Sequence, residues 1–399
     1  MHNKSLTESN NISKGSQLRA FFYLFLTPET PNLCAIKIAQ DYLSMMNNKT
    51  TFKHRHNQHN PLKTTLKQVA KNLIVITSIT LAACANNTTS NKSEFSAENT
   101  TSIYTLNSQN SCNKNIKLEI LGSGGPELDD HRASTGYLIW IDNKARFLVD
   151  FGSGSALHFE QSNARIEDLS AVLLTHLHVD HTADLPALIK ASYFTDRREN
   201  LLIFGPTGNF KMPDTEEFIT GLFGESGPFR YLSNYLPSTN NEQSQYVIEA
   251  QNIDHLKQEI VTHKIEDDLH ISATGVKHGI IPAVAWRIDI GNCSISFSGD
   301  MNTGGDAFIP LIKNSDVWVA HNAVPEDAGR IAKSLHMPPP VIGEFAKAAN
   351  IQQLILSHRM NRTLGREQET KQGIEQSFSG KIYFAEDRDQ FILNKKNSD

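Results

Sequence analysis

Within seven residues, Thr175-His176-Leu177-His178-Val179-Asp180-His181, the chain sets three histidines and an aspartate directly after the apolar run Ala171 to Leu174. Residues two apart in an extended segment share a face, so His176 and His178 converge on one point. Asp180 and His181, at the turn into a following helix, face a second point. Imidazole nitrogen combined with carboxylate oxygen suits zinc, with manganese or iron as substitutes. The run therefore belongs at the end of a buried strand, on a rim that holds two cations.

The remainder of the chain reads as the scaffold for such a rim. Strands are expected at Ile116 to Leu121, Gly136 to Ile141, Arg146 to Asp150, Ala171 to Thr175 and Leu201 to Phe204, with helices over Asp184 to Tyr193 and Thr215 to Phe223. A second series follows: strands at Ala283 to Ile290, Ser294 to Phe297, Val317 to Ala320 and Gln353 to Leu356, and a helix over Pro340 to Ala349. Two such series without a fixed-period repeat predict one α/β domain of layered sheets under helices, spanning 116–399.

Ahead of it the composition changes. Residues 1–83 carry 10 Lys+Arg against 3 Asp+Glu, whereas the rest has a net charge of −12. That acidic remainder argues against a protein that grips nucleic acid chiefly by charge. Leu73 to Ala83 is eleven residues without a charge, preceded by Lys63, Lys67 and Lys71. It is too short to span a bilayer but has the basic flank, apolar core and small-residue end of an export signal. Leu81-Ala82-Ala83-Cys84 resembles the lipobox of bacterial lipoproteins, which implies lipidation of Cys84. The run of basic residues after Met46 suits a signal over 45–83, leaving 1–44 untranslated or disordered. Residues 84–115, rich in Asn, Ser and Thr, read as a flexible polar tether. Cys112 falls in that tether, so Cys112 and Cys293 are expected as two free thiols. Ala85 and Asn86 do not resemble an inner-membrane retention signal, which points to the outer membrane, on its periplasmic or surface face.

With the His-X-His-X-Asp-His run on the page, the chain over about 116–399 resembles the metallo-β-lactamase superfamily. That resemblance implies a four-layered αββα sandwich with the metal site on one edge. It also implies further ligands: His278 in Val276-Lys277-His278-Gly279, Asp300 in Phe297-Ser298-Gly299-Asp300, and His358 after Leu354-Ile355-Leu356-Ser357. One ion would take His176, His178 and His278, the other Asp180, His181 and His358, with Asp300 bridging. His255, His263 and His270 lack a comparable setting and are assigned to the surface. Two ions roughly 3.5–4 Å apart acidify and orient a water, so hydrolysis is the expected chemistry. The turn Gly122-Ser123-Gly124-Gly125-Pro126 reads as a tight rim turn, and Asp150 as a support for the metal loop.

Within the superfamily, aspartate rather than cysteine at 300 speaks against a true β-lactamase. The C-terminal half resembles the phosphodiesterase branch that includes ribonuclease Z, and His336, 22 residues before His358, matches that branch's catalytic histidine. Asp180 and His336 are thus the catalytic candidates. Asn322, in Ala320-His321-Asn322-Ala323, departs from the carboxylate of ribonuclease Z. Segments Asp129 to Tyr137, Pro186 to Lys190 and Tyr193 to Arg197 are similar to zinc-dependent arylsulfatases, which makes Arg132 a candidate for a substrate oxyanion and His321 a weaker one. The reading that follows is an exported, membrane-tethered binuclear zinc hydrolase of small sulfate or phosphate esters. Its alternatives are a ribonuclease Z-type tRNA 3′ endonuclease, a lactonase, and a non-catalytic metal-binding lipoprotein.

Overall fold

The computed structural model describes residues 101–106, 112–238 and 245–393. The signal, Cys84 and the tether up to residue 100 lie outside the described residues. Period-two alternation assigns the layers. In β4 (Lys144–Phe151) Phe147 and Val149 face one side and Leu148 the other; in β12 (Val317–His321) Val317 and Val319 oppose Trp318 and Ala320. The first members of each pair meet in a core between two sheets. The second members pack under helices.

One sheet has the order β1 (Ile103–Leu106), β15 (Gln390–Leu393), β2 (Ile116–Gly122), β3 (Gly136–Ile141), β4, β5 (Ala171–Leu173), β6 (Leu201–Pro206), β7 (Ile248–Ile253). The other runs β14 (Lys381–Phe384), β13 (Gln353–Ser357), β12, β11 (Cys293–Phe297), β10 (Ile281–Ile290), β9 (Leu269–His278), β8 (Val261–Glu266). Phe159 of α1 (Ser155–Gln161), Leu188 and Ile189 of α3 (Leu185–Ser192) and Ile219 of α4 (Thr215–Phe223) cover the first sheet. Phe308 of α5 (Gly305–Ile312), Ile342 of α7 (Pro339–Ala348) and Ile374 of α8 (Glu367–Glu375) cover the second. The result is the expected αββα sandwich. Two short helices, α2 (Val179–Thr182) and α6 (Arg330–Lys333), stand at the edge where strands β5, β11, β12 and β13 end. Among the described residues no helix is long and apolar enough to cross a membrane.

The ordered domain reaches further toward the N-terminus than residue 116. Ile103–Leu106 pairs in parallel with β15, and Leu106 is buried. The two cysteines are also corrected: Cys112 and Cys293 form a disulfide, with Cα atoms 5.4 Å apart. Both lie buried because residues 112–114 dock on two neighbouring turns, Asn113 N donating to Asn292 Oδ1 of the β10–β11 turn at 3.1 Å and Lys114 pairing with Asp268 of the β8–β9 turn at 2.8 Å. His255, His263 and His270 are half-buried, not surface residues; His255 Nδ1 lies 2.7 Å from Thr207 Oγ1 and His263 packs on Phe204.

Candidate metal centre

The ends of β5 and β11 come from different sheets, and a missing side chain lets them meet. Gly299 has φ 59°, and a Cβ there would stand 2.7 Å from Thr175 Cβ. Below them Val284 N donates to Thr175 O at 2.9 Å and Trp286 Nε1 to Leu174 O at 3.0 Å. That crossing brings Asp300 against the histidines of the 176–181 loop.

Hydrogen bonds behind the ligand rings fix which nitrogen faces inward. Thr175 Oγ1 donates its one proton to Asp150 Oδ2 at 2.8 Å, so it accepts from His176 Nδ1 at 3.1 Å. His176 Nε2 then carries the lone pair, 3.0 Å from His178 Nδ1 and 4.0 Å from Asp300 Oδ2. The Leu335 carbonyl accepts from His278 Nδ1 at 2.9 Å, leaving Nε2 3.7 Å from Asp300 Oδ2. Asp150 Oδ2 accepts from His181 Nδ1 at 2.8 Å, leaving a buried Nε2 without a hydrogen-bond partner, 3.5 Å from Asp180 Oδ2 and 3.8 Å from Asp300 Oδ2. His358 Nε2 lies 3.2 Å from Asp180 Oδ2 and 3.4 Å from Asp300 Oδ1. Carbonyl or carboxylate partners of this kind behind an imidazole are how proteins orient metal-binding histidines.

Two groups result. His176, His178, His278 and Asp300 place one ligand atom each within 4.8 Å of one another, and so do Asp180, His181 and His358. Asp300 also groups with His321 and His358, which sets it between the two. Lone pairs and carboxylate oxygens converging in a buried space, with His181 Nε2 left unsatisfied, suit a pair of divalent cations. The electrostatics agree. Burial opposes charge on His181, but the adjacent Asp180 and Asp150 outweigh it and raise its pKa well above the usual range. Burial likewise works against the Asp300 carboxylate, yet the surrounding His358 and His336 and the hydrogen bond from His321 hold its pKa far below normal. His176, by contrast, is kept neutral by burial and by neighbouring His181. Carboxylates in excess over charged histidines leave a negative potential that cations would satisfy.

Two site residues have left-handed backbones, Asp150 at φ 54° and His358 at φ 52°, a conformation that non-glycine residues adopt mainly where the surroundings enforce it. The His358 ring lies against Gly125, where a Cβ would stand 2.8 Å from it. The Gly122–Pro126 turn thus packs directly on a ligand ring, and Asp150 supports the metal loop as expected.

His336 stands beside the ligands, in the loop between α6 and α7. Its buried Nδ1 has no hydrogen-bond partner and lies 3.8 Å from Asp300 Oδ2. Burial first, then the nearby His358, His278 and Arg362 against Asp300, push its pKa down to about 3. The two substrate candidates are placed otherwise. Arg132 turns inward to Ser123 Oγ at 2.7 Å, Ala385 O at 3.4 Å and the Glu386 carboxylate, because Asp387 ties its loop to the Gly122–Pro126 turn through Ser123 and Ala133. His321 is buried with both nitrogens engaged, Nδ1 to Asp300 Oδ1 at 2.8 Å and Nε2 to Tyr137 OH at 2.9 Å. Burial lowers its pKa to about 4 and raises that of Tyr137, so Tyr137 donates to His321, which donates to Asp300. Neither residue reaches open space over the ligands.

Reading by sequence missed Tyr137, Thr175 and Arg362. Arg362 is exposed, donates Nε to Ala323 O at 2.6 Å and Nη2 to Met360 Sδ at 3.1 Å, and makes no ion pair among the described residues. Asn322 is buried, its side-chain atoms without partners, while its backbone N–H donates to Ser357 O at 2.8 Å.

The model of the β-lactamase superfamily domain matches residues 145–359, more than half of the chain. Ribonuclease Z of Enterococcus faecalis is 24% identical over 291 residues, covering 63% of this chain and 89% of that protein. Ribonuclease Z of a Mycobacterium species is 27% identical over 259 residues, covering 61% and 84%. Among solved structures, the metallo-β-lactamase fold protein YhfI from Bacillus subtilis superposes with a TM-score of 0.53 at 22% identity, over 70% of this chain and 99% of that one. The short form of human tRNase Z gives 0.53 at 18% identity, over 69% and 98%. The two curated relatives are named ribonuclease Z, the alternative reading, and neither is named an arylsulfatase.

Proposed function

Because the chain belongs to the β-lactamase superfamily, a family of metal-dependent hydrolases, we propose that it is an exported, lipid-anchored hydrolase of phosphodiesters. One observation carries this reading: His176, His178, His278, Asp180, His181 and His358 gather into two adjoining ligand groups with Asp300 between them. Two zinc ions, or manganese or iron, would supply Lewis acidity and an acidified water there. The chain's own part is to hold those donors rigid and to meet the charge of the reacting ester. We assign Asp180, close to both His181 and His358, to orienting the attacking water, since, against burial, those histidines hold its carboxylate well below the usual range and make it a weak base. His336 stays neutral at ordinary pH, which favours a hydrogen bond to charge developing in the transition state over full proton donation. Arg362, which adds to the positive field at His336, is the cation available to an anionic substrate.

The phosphodiester reading gains on the sulfate ester for two reasons. Arg132, the oxyanion candidate that the arylsulfatase resemblance supplied, is engaged by Ser123 and Glu386 instead. The relatives carry the name of a ribonuclease, an enzyme that breaks a phosphodiester. They also reopen nucleic acid as a partner, which charge alone had argued against. A tRNA 3′ endonuclease is the second reading, favoured by those names and opposed by Asn322. The disulfide supports export, since structural disulfides persist in oxidising compartments.

The test is a zinc-loaded panel: bis(4-nitrophenyl) phosphate, 4-nitrophenyl phosphate, 4-nitrophenyl sulfate, a lactone and precursor tRNA. The diester should be turned over fastest. Precursor tRNA processed at its 3′ end as fast as the diester would transfer the assignment to the endonuclease, and turnover of none would leave a metal-binding lipoprotein. His336→Ala should keep both ions yet lose ~10²–10³ in kcat, the usual cost of one oxyanion donor.

A further inference from the structure

We propose that the side of the centre formed by His178 and His278 carries an apolar seat, and that the substrate is a phosphodiester with an aryl or alkyl ester group that lies on it. The inference rests on the phosphodiesterase reading and adds the substrate's second half. Val179, between the ligand candidates His178 and Asp180, is 70% exposed. Ile280, two residues after His278 at the tip of the β9–β10 hairpin, is 59% exposed. Leu335 joins them: its carbonyl holds His278 Nδ1, and its Cδ2 lies 2.6 Å from where a Cβ on Gly279 would stand. Asn209 Nδ2 donates to Ile280 O at 2.7 Å, which brings the loop bearing Phe210, 83% exposed, to the same hairpin.

Large apolar side chains left in water cost free energy that contact with an apolar ligand recovers. Val179, Phe210 and Ile280, with the half-buried Leu335, come from four separate segments, and all are tied to the ligand loops themselves. The charged group, Arg362, comes instead from the loop after His358. An ester whose anionic phosphorus sits over the ligands would thus find hydrocarbon beside His178 and His278, with Lys211 lying over Phe210 at its margin.

Binding and turnover separate this seat from the hydrolase reading. Dimethylphosphinate and diphenylphosphinate mimic the diester anion, and their carbon–phosphorus bonds resist hydrolysis. The zinc-loaded full chain should bind the diphenyl compound at least about tenfold more tightly by calorimetry. The double substitution Val179→Ser and Ile280→Ser should bring the two within about twofold, whereas Ile103→Ser on the edge strand β1 should leave the preference intact. In turnover, 4-nitrophenyl phenyl phosphate should show a KM about tenfold below that of 4-nitrophenyl methyl phosphate with similar kcat, the signature of uniform binding. Equal binding of the two phosphinates, or a preference that survives the double substitution, overturns the seat even if diesters are hydrolysed. A preference that the substitutions abolish, in a chain that turns over no diester, keeps the seat and rejects the hydrolase.

Discussion

Asp300 serves both ligand groups because its two oxygens have different tasks. Oδ1 accepts from His321 at 2.8 Å, and Oδ2 faces His176, His181, His278 and His336. A carboxylate turned by one hydrogen bond presents its other oxygen in a fixed direction, so the chain from Tyr137 through His321 is a positioning device. His321→Ala should weaken zinc retention ~10–100-fold in competition with a chelator, the usual cost of losing a partner behind a ligand. Tyr137→Phe should do less, and His255→Ala nothing. Unchanged zinc affinity in His321→Ala would make the contact incidental. The candidate ligands stand out in the sequence because four of them share one loop and the others end apolar runs. Their supports do not. Tyr137 lies 184 positions from His321 and Thr175 25 from Asp150, and nothing local marks either pair. Arg132 misled for the same reason, since its partner Glu386 lies in a distant turn.

Elements follow their local chemistry where the apolar signal is continuous or the cap is explicit. Strands such as β12 and β13, buried throughout, and helix α4, with the capping box of Asp214 and Glu217, match their expected spans closely. Others went unread for physical reasons. β8 alternates between half-buried and exposed residues with little apolar contrast, α5 carries Pro310 inside it, and α8 (EQETKQGIE) buries only Ile374 among its large apolar side chains. The edge strand β1 was hidden by the polar residues around it. Its attachment is partly covalent, because the disulfide fastens Cys112 to β11 across 181 residues. A cross-link over so long a loop removes much unfolded-chain entropy, so Cys112→Ser with Cys293→Ser should lower unfolding free energy by ~2–5 kcal/mol. Urea unfolding with and without reductant measures it. The oxidised wild type should unfold at higher urea than the reduced form, and coincident curves would mean that the bridge does not form.

At the scale of the whole molecule, charge and topology make one demand. A basic 1–83 segment precedes a remainder with a net charge of −12, an arrangement suited to a signal drawn into a membrane ahead of a domain that anionic lipid headgroups repel. Such a domain stays at a bilayer only if it is anchored. A single acyl chain binds marginally, so a lasting anchor needs more than one chain, as a lipidated cysteine at a new N-terminus would carry. Under the proposed reading that cysteine is Cys84, directly after Leu81-Ala82-Ala83. Cells expressing the full chain should incorporate labelled fatty acid into it, and the protein should fractionate with the outer membrane. Cys84→Ser should lose the label and leave the membrane fraction, while the metal content and turnover of the released domain stay as they were. Label that survives the substitution would remove Cys84 as the anchor, and a soluble, unprocessed chain would remove the signal itself.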